Sequence, residues 1–414
     1  MATGFAYASR FGKNLPEPAA PPVAPVRINF AVGHNDPDLI PADALAEVAA
    51  RVIRENGPAL AIYNLGQSGL GYRGLREFVC EKVGRSRGIV TTPDNVLVTS
   101  GSLQGIDLVN QLMLDAGDHV VVEAFTYGAV FARLKRLGVT WSGAPLDDGG
   151  IDVDGLAGHL ADLKGRGIVP KYLYTIPTIQ NPTGTVMPLE RRQRLLAVCR
   201  QYGVTVFEDE CYADVMWGEA APPALYALDP SQVIHIGSFS KSLAPALRVG
   251  YVVADAQVLA RMLALKTDGG TAALEQMVVA EYFSHHFDAH LATLSRVLQE
   301  KLDVLEDALA EGFGTAAEFV RPAGGLFVWV KLPEGVDVRR FAGAAAGRGV
   351  TFNVGQEWAA DPAAGQNCMR LCFALPGKDQ IREGVATLAQ LCFEATGLPP
   401  RGANVERRRD DRAP

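Results

Sequence analysis

The chain has 414 residues, of which 48% are hydrophobic and 21% are charged. This length exceeds what one hydrophobic core usually holds, so we expect a globular protein of two domains. The formal net charge is −7 and the basic residues are scattered, which argues against nucleic acid as the main partner. No apolar run is long enough to cross a bilayer, so we expect no membrane partner.

The two ends of the chain show little sign of regular structure. Residues 1–27 are rich in Ala and Pro and lack the apolar centre of a signal peptide, which predicts a flexible arm too short for a DNA-binding domain. Residues 396–414 are predicted to be a flexible tail. Six cysteines lie mostly in apolar segments, and without a signal peptide we expect them to be reduced, as in a cytoplasmic protein.

The elements between these ends predict a large α/β unit and a smaller α+β unit. We expect residues 28–55 to be a segment of a smaller domain and residues 56–310 to form the large domain. Apolar runs alternate with helical patterns there, which indicates an α/β fold with a mainly parallel sheet of seven strands. The seven runs are 96–99, 119–122, 139–141, 172–175, 204–207, 233–236 and 250–253. Helical patterns up to about residue 310, then short strands at 327–330, 350–352 and 369–373, predict a smaller α+β domain over 311–395.

Polar side chains follow these runs at the points where the strands should end. Ligands of open α/β sheets bind beyond the carboxyl ends of the strands, so these side chains mark the expected site. They are Ser100 and Ser102 on either side of Gly101, then Tyr127, Asn181, Asp209, Tyr212 and Lys241.

Lys241 carries the most information among them. A lysine between two buried strands is costly unless its amine is neutralised or chemically committed. Ser238, Ser240 and Arg248 surround it with the donors that an anionic phosphate needs. A lysine able to form a Schiff base beside a phosphate site suggests pyridoxal 5'-phosphate (PLP). The alternative is a surface lysine in a serine-rich turn.

The other strand ends fit the same cofactor. The first-turn amides of Ser102 and Leu103, after Gly101, form an anion site without the full spacing of a dinucleotide loop. Asp209 could hold a protonated pyridine nitrogen, and a contact of Asn181 with the phenolic oxygen is favoured over simple turn chemistry. Tyr127 could stack on the ring or be a core aromatic residue. Glu208 and Glu210 should point the other way along the strand and be structural.

Together these motifs resemble the fold type I, class I/II PLP-dependent aminotransferases, over about residues 28–392. The resemblance rests on the Asn-Pro-Thr-Gly element at 181–184, the Glu-Asp-x-x-Tyr strand at 208–212 and the Ser-Phe-Ser-Lys segment at 238–241. The 2-aminoadipate/kynurenine aminotransferase-like branch is the most similar one. The resemblance implies that Lys241 binds PLP covalently and moves the proton, and that Arg370 holds the substrate α-carboxylate beside Gly33 and Asn181. It assigns the cofactor to Gly101, Ser102, Leu103, Tyr127, Asn181, Asp209, Tyr212, Ser238, Ser240, Arg248 and Tyr63.

The resemblance also implies partners and a reaction. The partners are an L-amino acid, a 2-oxo acid and a second copy of the chain, with Tyr63 reaching the neighbour's phosphate in a homodimer with shared active sites. The expected reaction is ping-pong amino transfer without a metal, because His286 and His290 lack a third ligand. The alternatives are another PLP reaction on an amino acid, such as decarboxylation, elimination or oxidation, and a PLP-binding regulator. The sequence His34-Asn35-Asp36-Pro37 departs from the family's Leu-Pro turn, which predicts that this loop helps to choose the substrate.

Overall fold

The computed structural model describes residues 10–12, 15, 18 and 26–398. The predicted arm and tail therefore lie almost entirely outside the described residues. No helix in the described part of the chain is long and apolar enough to cross a membrane. The strands are β1 Ile28–Asn29, β2 Val96–Ser100, β3 His119–Glu123, β4 Thr140–Ala144, β5 Leu146–Asp147, β6 Gly150–Ile151, β7 Tyr172–Thr175, β8 Thr205–Asp209, β9 Val233–Ser238, β10 Val249–Val253, β11 Phe327–Lys331, β12 Val350–Thr351, β13 Asn353–Val354 and β14 Cys368–Cys372.

The helices cover both faces of the main sheet and one side of the smaller one. They are α1 Ala42–Asn56, α2 Arg73–Arg87, α3 Ser102–Met113, α4 Ala129–Leu137, α5 Val153–Gly165, α6 Leu189–Tyr202, α7 Leu225–Leu228, α8 Ala256–Leu265, α9 Ala273–Gly312, α10 Arg339–Gly347 and α11 Lys378–Thr396.

The seven predicted strands form one sheet, which confirms the predicted fold class. Their order is β2-β10-β9-β8-β7-β3-β4. β10 runs antiparallel to both of its neighbours, and the other pairs are parallel. Alternate residues of each strand enter different cores: Val98 packs on one face of the sheet and Leu97 on the other. Burial on both faces explains why these strands appear in the sequence as continuous apolar runs.

A separate core surrounds the smaller sheet, which has the order β11-β14-β13. Ile28 of β1 pairs with Val350 and packs in this core. Val48 and Val52 of α1 instead pack in the core of the large sheet, so packing divides the predicted segment 28–55 between the two units. The 40-residue helix α9 contributes its first part to one core and its second part to the other. The boundaries 56–310 and 311–395 stay a prediction.

Candidate active site

A cavity of about 410 Å³ lies at the carboxyl ends of the central strands. It is bordered by the large sheet on one side and by β13, β14 and residues 31–34 on the other. All of the predicted site residues line it except Gly101 and Tyr63. The predicted residues in its wall are Gly33, Ser102, Leu103, Tyr127, Asn181, Asp209, Tyr212, Ser238, Ser240, Lys241, Arg248 and Arg370.

Lys241 follows β9 and extends its amine into this cavity. Its Nζ donates a hydrogen bond to the Gly33 carbonyl at 2.8 Å. Burial lowers the pKa of Lys241, and the positive charges of Arg370 and Arg248 lower it further, although nearby cysteines act in the opposite direction. The Lys241 amine is therefore neutral at a lower pH than an ordinary lysine, which leaves more of it unprotonated and able to act as a nucleophile or base at a given pH.

Asp209 ends β8 as a buried carboxylate, 4% exposed. Its Oδ2 accepts a hydrogen bond from the Tyr174 hydroxyl at 2.7 Å, and its Oδ1 accepts one from the Cys211 amide at 3.1 Å. Burial raises the pKa of Asp209, against these hydrogen bonds. Its hydrogen-bond donors in the described part of the chain are neutral groups, so this anion lacks a countercharge that a protonated ring nitrogen would supply.

One end of the cavity is built for an anion. Helix α3 begins at Ser102, and its first amides have no partner within the helix. Gly101 has a φ of +73°, and a Cβ there would lie 2.2 Å from a guanidinium nitrogen of Arg248. Only glycine lets the chain pass this close to that arginine. The hydroxyls of Ser238 and Ser240, 3.0 Å apart, add two further donors at this end.

Arg370 lies at the opposite side of the cavity, on β14, and is 4% exposed. Its Nη1 donates to Asn181 Oδ1 at 3.0 Å, and its Nη2 donates to the Ala31 carbonyl and to Asn353 Oδ1, both at 2.8 Å. Its Nε is buried with no hydrogen-bond partner among the described residues. Asn181 in turn donates to the Tyr212 hydroxyl at 3.3 Å, so the arginine and the predicted cofactor contacts belong to one network.

The family model for aminotransferase class I and II matches residues 26–388. The chain belongs to this family. It is 35% identical to the 2-aminoadipate transaminase of Thermus thermophilus over 88% of this chain and 89% of that one. Among solved structures, it is similar to the α-aminoadipate aminotransferase of Thermus thermophilus complexed with N-(5'-phosphopyridoxyl)-L-leucine, with a TM-score of 0.84, 33% identity and coverage of 95% and 100%. It is also similar to the Pyrococcus horikoshii kynurenine aminotransferase, with a TM-score of 0.87, 31% identity and coverage of 94% and 98%.

PLP is therefore the cofactor of this aminotransferase, and its reaction exchanges an amino group between an amino acid and a 2-oxo acid. The cavity fits this cofactor in three respects. It provides an anion site at the start of α3, a buried carboxylate without a countercharge, and a lysine amine with a lowered pKa. In the described part of the aminotransferase, no group of three or more His, Cys, Asp and Glu side chains could hold a metal ion.

The sequence analysis did not identify several residues that line the cavity of this aminotransferase, among them Trp358, Asn353 and Cys211. Trp358 and Asn353 lie in irregular or very short elements of the smaller unit, where no periodic pattern marks a strand end. Cys211 lies between Asp209 and Tyr212 in the sequence, and only those two residues matched a recognisable site pattern. A strand-end rule finds residues of the large sheet, but it cannot find what the second unit brings to the cavity.

Glu208 and Glu210 behave as the sequence predicts, because both are buried in contacts away from the cavity. Glu208 accepts hydrogen bonds from the amides of Leu225 and Tyr226 and contacts His235 Nδ1 at 2.8 Å. Glu210 pairs with Arg87 at 2.8 Å. The alternation along β8 thus separates one carboxylate that faces the cavity from two that hold the large unit together.

Glu123, at the end of β3, holds two loops of the site. It accepts hydrogen bonds from the hydroxyls of Thr126 and Thr175, the Ile176 amide and Gln180 Nε2, at 2.7–3.0 Å. Thr126 and Gln180 directly precede Tyr127 and Asn181, and Ile176 lines the cavity. Burial raises the pKa of Glu123 to about 7, even though the four hydrogen bonds lower it.

We expect this carboxyl to make the folded protein less stable as the pH rises. The folded state binds one proton more than the unfolded state between the ordinary pKa of 4.5 and the raised value of about 7. Its contribution is therefore fully present below pH 4.5 and is lost as the pH passes 7, a change of about 3 kcal/mol. Urea unfolding of the wild type and of Glu123→Gln at about pH 5 and about pH 8 measures it. Equal pH dependence in both proteins would contradict the prediction.

Proposed function

We propose that this aminotransferase carries PLP on Lys241 and exchanges the amino groups of L-amino acids and 2-oxo acids in this one cavity by a ping-pong sequence. The observation that carries the proposal is the convergence of Lys241, Asp209 and Arg370 on the same cavity. Each supplies one requirement of the reaction: a base and covalent anchor, an anion for a ring nitrogen, and a cation for a carboxylate.

The proposed cofactor contacts follow from the chemistry of the cavity wall. Donors at the start of α3 and after β9 would bind the phosphate, and Asp209 would keep the ring nitrogen protonated. Asn181 and Tyr212 would donate to the phenolic oxygen, and Tyr127 would cover one face of the ring. The phosphate donors are Ser102, Leu103, Ser238, Ser240 and Arg248, with Gly101 allowing the close approach.

The chemical steps of the protein then depend on one amine. Bound PLP would supply an electron sink for the Cα of an amino acid whose amine has replaced Lys241 on the cofactor. The Lys241 Nζ, freed by that exchange, would take the proton from Cα and return it to the cofactor carbon, and burial assists this role because it lowers the pKa of Lys241. Arg370 would hold the α-carboxylate and so orient the amino acid relative to the amine. The second half of the cycle uses the same groups in the reverse order with a 2-oxo acid.

A panel of amino acids tests this proposal and identifies the donor. We would offer the purified protein 2-aminoadipate, kynurenine, phenylalanine and alanine, each with 2-oxoglutarate, and follow the formation of glutamate and of the corresponding 2-oxo acid. The first two reflect what the similar Thermus and Pyrococcus enzymes act on by name. Release of ammonia, carbon dioxide or peroxide without glutamate would contradict amino transfer and favour the other PLP reactions.

The proposal includes a cytoplasmic homodimer. Support for the second copy comes from the surface around Tyr63, which is 85% exposed, with Ile62 59% exposed and Leu60 42% exposed. Adjacent exposed apolar side chains of this size are typical of an interface. Tyr63 does not line the cavity of its own chain. The six cysteines are free in the structure, and five of them are buried, which suits a reducing compartment.

We expect Tyr63 to act on the cavity of the second copy. Removal of one hydroxyl by Tyr63→Phe should weaken PLP binding about tenfold, the cost of a hydrogen bond to a charged group. In a purified hybrid dimer of Tyr63→Phe with Lys241→Ala, one of the two cavities has both side chains and should bind PLP with wild-type affinity. A hybrid that shows no restoration, or a protein that sediments as a monomer, would contradict the shared site.

A further inference from the structure

The indole of Trp358 lies on the face of the Arg370 guanidinium, with the guanidinium carbon 4.0 Å from the ring centroid. We propose that Trp358 is a positioning residue that fixes the plane of Arg370 for the substrate α-carboxylate. This inference rests on the carboxylate-binding role proposed for Arg370. Trp358 also lines the cavity, so its ring borders the space in which the substrate lies.

The contacts of Arg370 divide into those at its edge and those on its faces. Three N–H groups at the edge donate to neutral oxygens of Asn181, Ala31 and Asn353. These bonds limit rotation of the guanidinium within its plane. The faces meet the rings of Trp358 and, at 5.1 Å, Phe327. The rings therefore limit the tilt of the plane in addition to the edge contacts.

The electrostatics of this site make the ring contact important. Burial lowers the pKa of Arg370, which means that desolvation of the charge has a free-energy cost. The described hydrogen-bond partners of the guanidinium are neutral, so no carboxylate of the protein offsets that cost through them. The face of an indole is the strongest cation–π partner among side chains, and the contact is worth more at a desolvated site. A bidentate pair with a carboxylate also requires a fixed guanidinium plane.

Trp358 is buried, and its main chain is hydrogen-bonded on two sides, although its indole N–H has no hydrogen-bond partner among the described residues. It is 6% exposed. Its amide donates to the Gly355 carbonyl at 3.0 Å, and its carbonyl accepts from the Thr126 amide at 2.8 Å. The second bond joins it to the residue before Tyr127, whose ring centroid lies 6.2 Å from that of Trp358. One indole thus connects the proposed carboxylate site with the loop of the proposed stacking residue.

Two substitutions of Trp358 distinguish the effect of its aromatic face from the effect of its packing. Trp358→Leu removes the face, whereas Trp358→Phe keeps an aromatic ring. Trp217→Leu is the matched control, because Trp217 is a partly buried tryptophan that packs against the smaller core but does not line the cavity. Arg370→Gln removes the guanidinium and gives the reference for a lost carboxylate site.

The measurement is the dissociation constant of pentanoate, a carboxylate without an amino group, from the PLP-loaded proteins, followed by the visible absorbance of bound PLP. We expect Trp358→Leu to bind pentanoate about five- to thirtyfold more weakly than the wild type, and Trp358→Phe to stay within about threefold of it. Trp217→Leu should match the wild type. PLP affinity, and the reaction with an alkylamine that lacks a carboxylate, should fall much less than pentanoate affinity in Trp358→Leu.

The reference variant distinguishes two failures. Wild-type pentanoate affinity in Trp358→Leu, together with weak binding in Arg370→Gln, would overturn the role of Trp358 and leave the proposed function intact. Wild-type affinity in both would overturn the carboxylate site as well. An equal loss of PLP affinity and pentanoate affinity in Trp358→Leu would also overturn the inference, because it would indicate general damage to the cavity.

Discussion

We expect Lys241→Ala to lower kcat for amino transfer by at least about 10³-fold. A positioned general base alone contributes about 10²- to 10⁴-fold, and this substitution also removes the proposed covalent anchor of the cofactor. Burial in the cavity lowers the pKa of Lys241, so its amine can act as the proposed base. Alanine has no group that could take over this role. Single-turnover kinetics with a reactive amino acid would measure the loss.

A mass measurement separates loss of the base from loss of the fold. After borohydride reduction, the wild type should retain the phosphopyridoxyl mass on the peptide that contains Lys241, and Lys241→Ala should retain none. Lys331→Ala is a suitable control, because Lys331 is an exposed lysine of β11 outside the cavity. A small exogenous amine should restore part of the rate in Lys241→Ala. Retention of the mass on another lysine would contradict the assignment.

We expect Asp209→Asn to lower kcat by about 10²- to 10³-fold while the protein still folds and binds PLP. That range is typical for the removal of one electrostatic contact to the reacting group. Burial raises the pKa of Asp209, so the folded protein does not rely on its charge, and the neutral amide can still accept from the Tyr174 hydroxyl. Steady-state kinetics would measure the loss of kcat, and the free energy of unfolding would show whether the variant folds like the wild type.

Glu208→Gln is the matched control for that substitution. Glu208 is the preceding residue of the same strand and is also buried, but it accepts bonds from Leu225 and Tyr226 and contacts His235. We expect the Glu208→Gln variant to have a lower free energy of unfolding and a kcat within about threefold of the wild type. The substitution changes only hydrogen bonds outside the cavity. A fall in kcat as large as that of Asp209→Asn would contradict the separate roles of the two carboxylates.

The large sheet could be predicted from the sequence because its strands are buried on both faces. Burial of this kind leaves a continuous apolar run, as in Val120 to Val122, and the run ends where the chemistry begins. The predicted strand-end residues Asp209 and Lys241 therefore lie in one cavity.

The remaining features depend on contacts between distant segments. Trp358 faces Arg370 because two segments of the smaller unit meet, and no local pattern specifies that meeting. Val48 and Val52 of helix α1 pack in the core of the large sheet, and the sequence does not specify this, because an amphipathic helix shows that it has an apolar face but not which core covers it.

The central claim is that the cavity around Lys241 performs amino transfer. The most direct test mixes PLP-loaded protein with one equivalent of a reactive L-amino acid, without an acceptor, and counts products per active site. We predict one 2-oxo acid and one pyridoxamine phosphate per site, and the return of the original absorbance when a 2-oxo acid is added. Free ammonia or carbon dioxide, with the cofactor absorbance unchanged at the end, would contradict the claim.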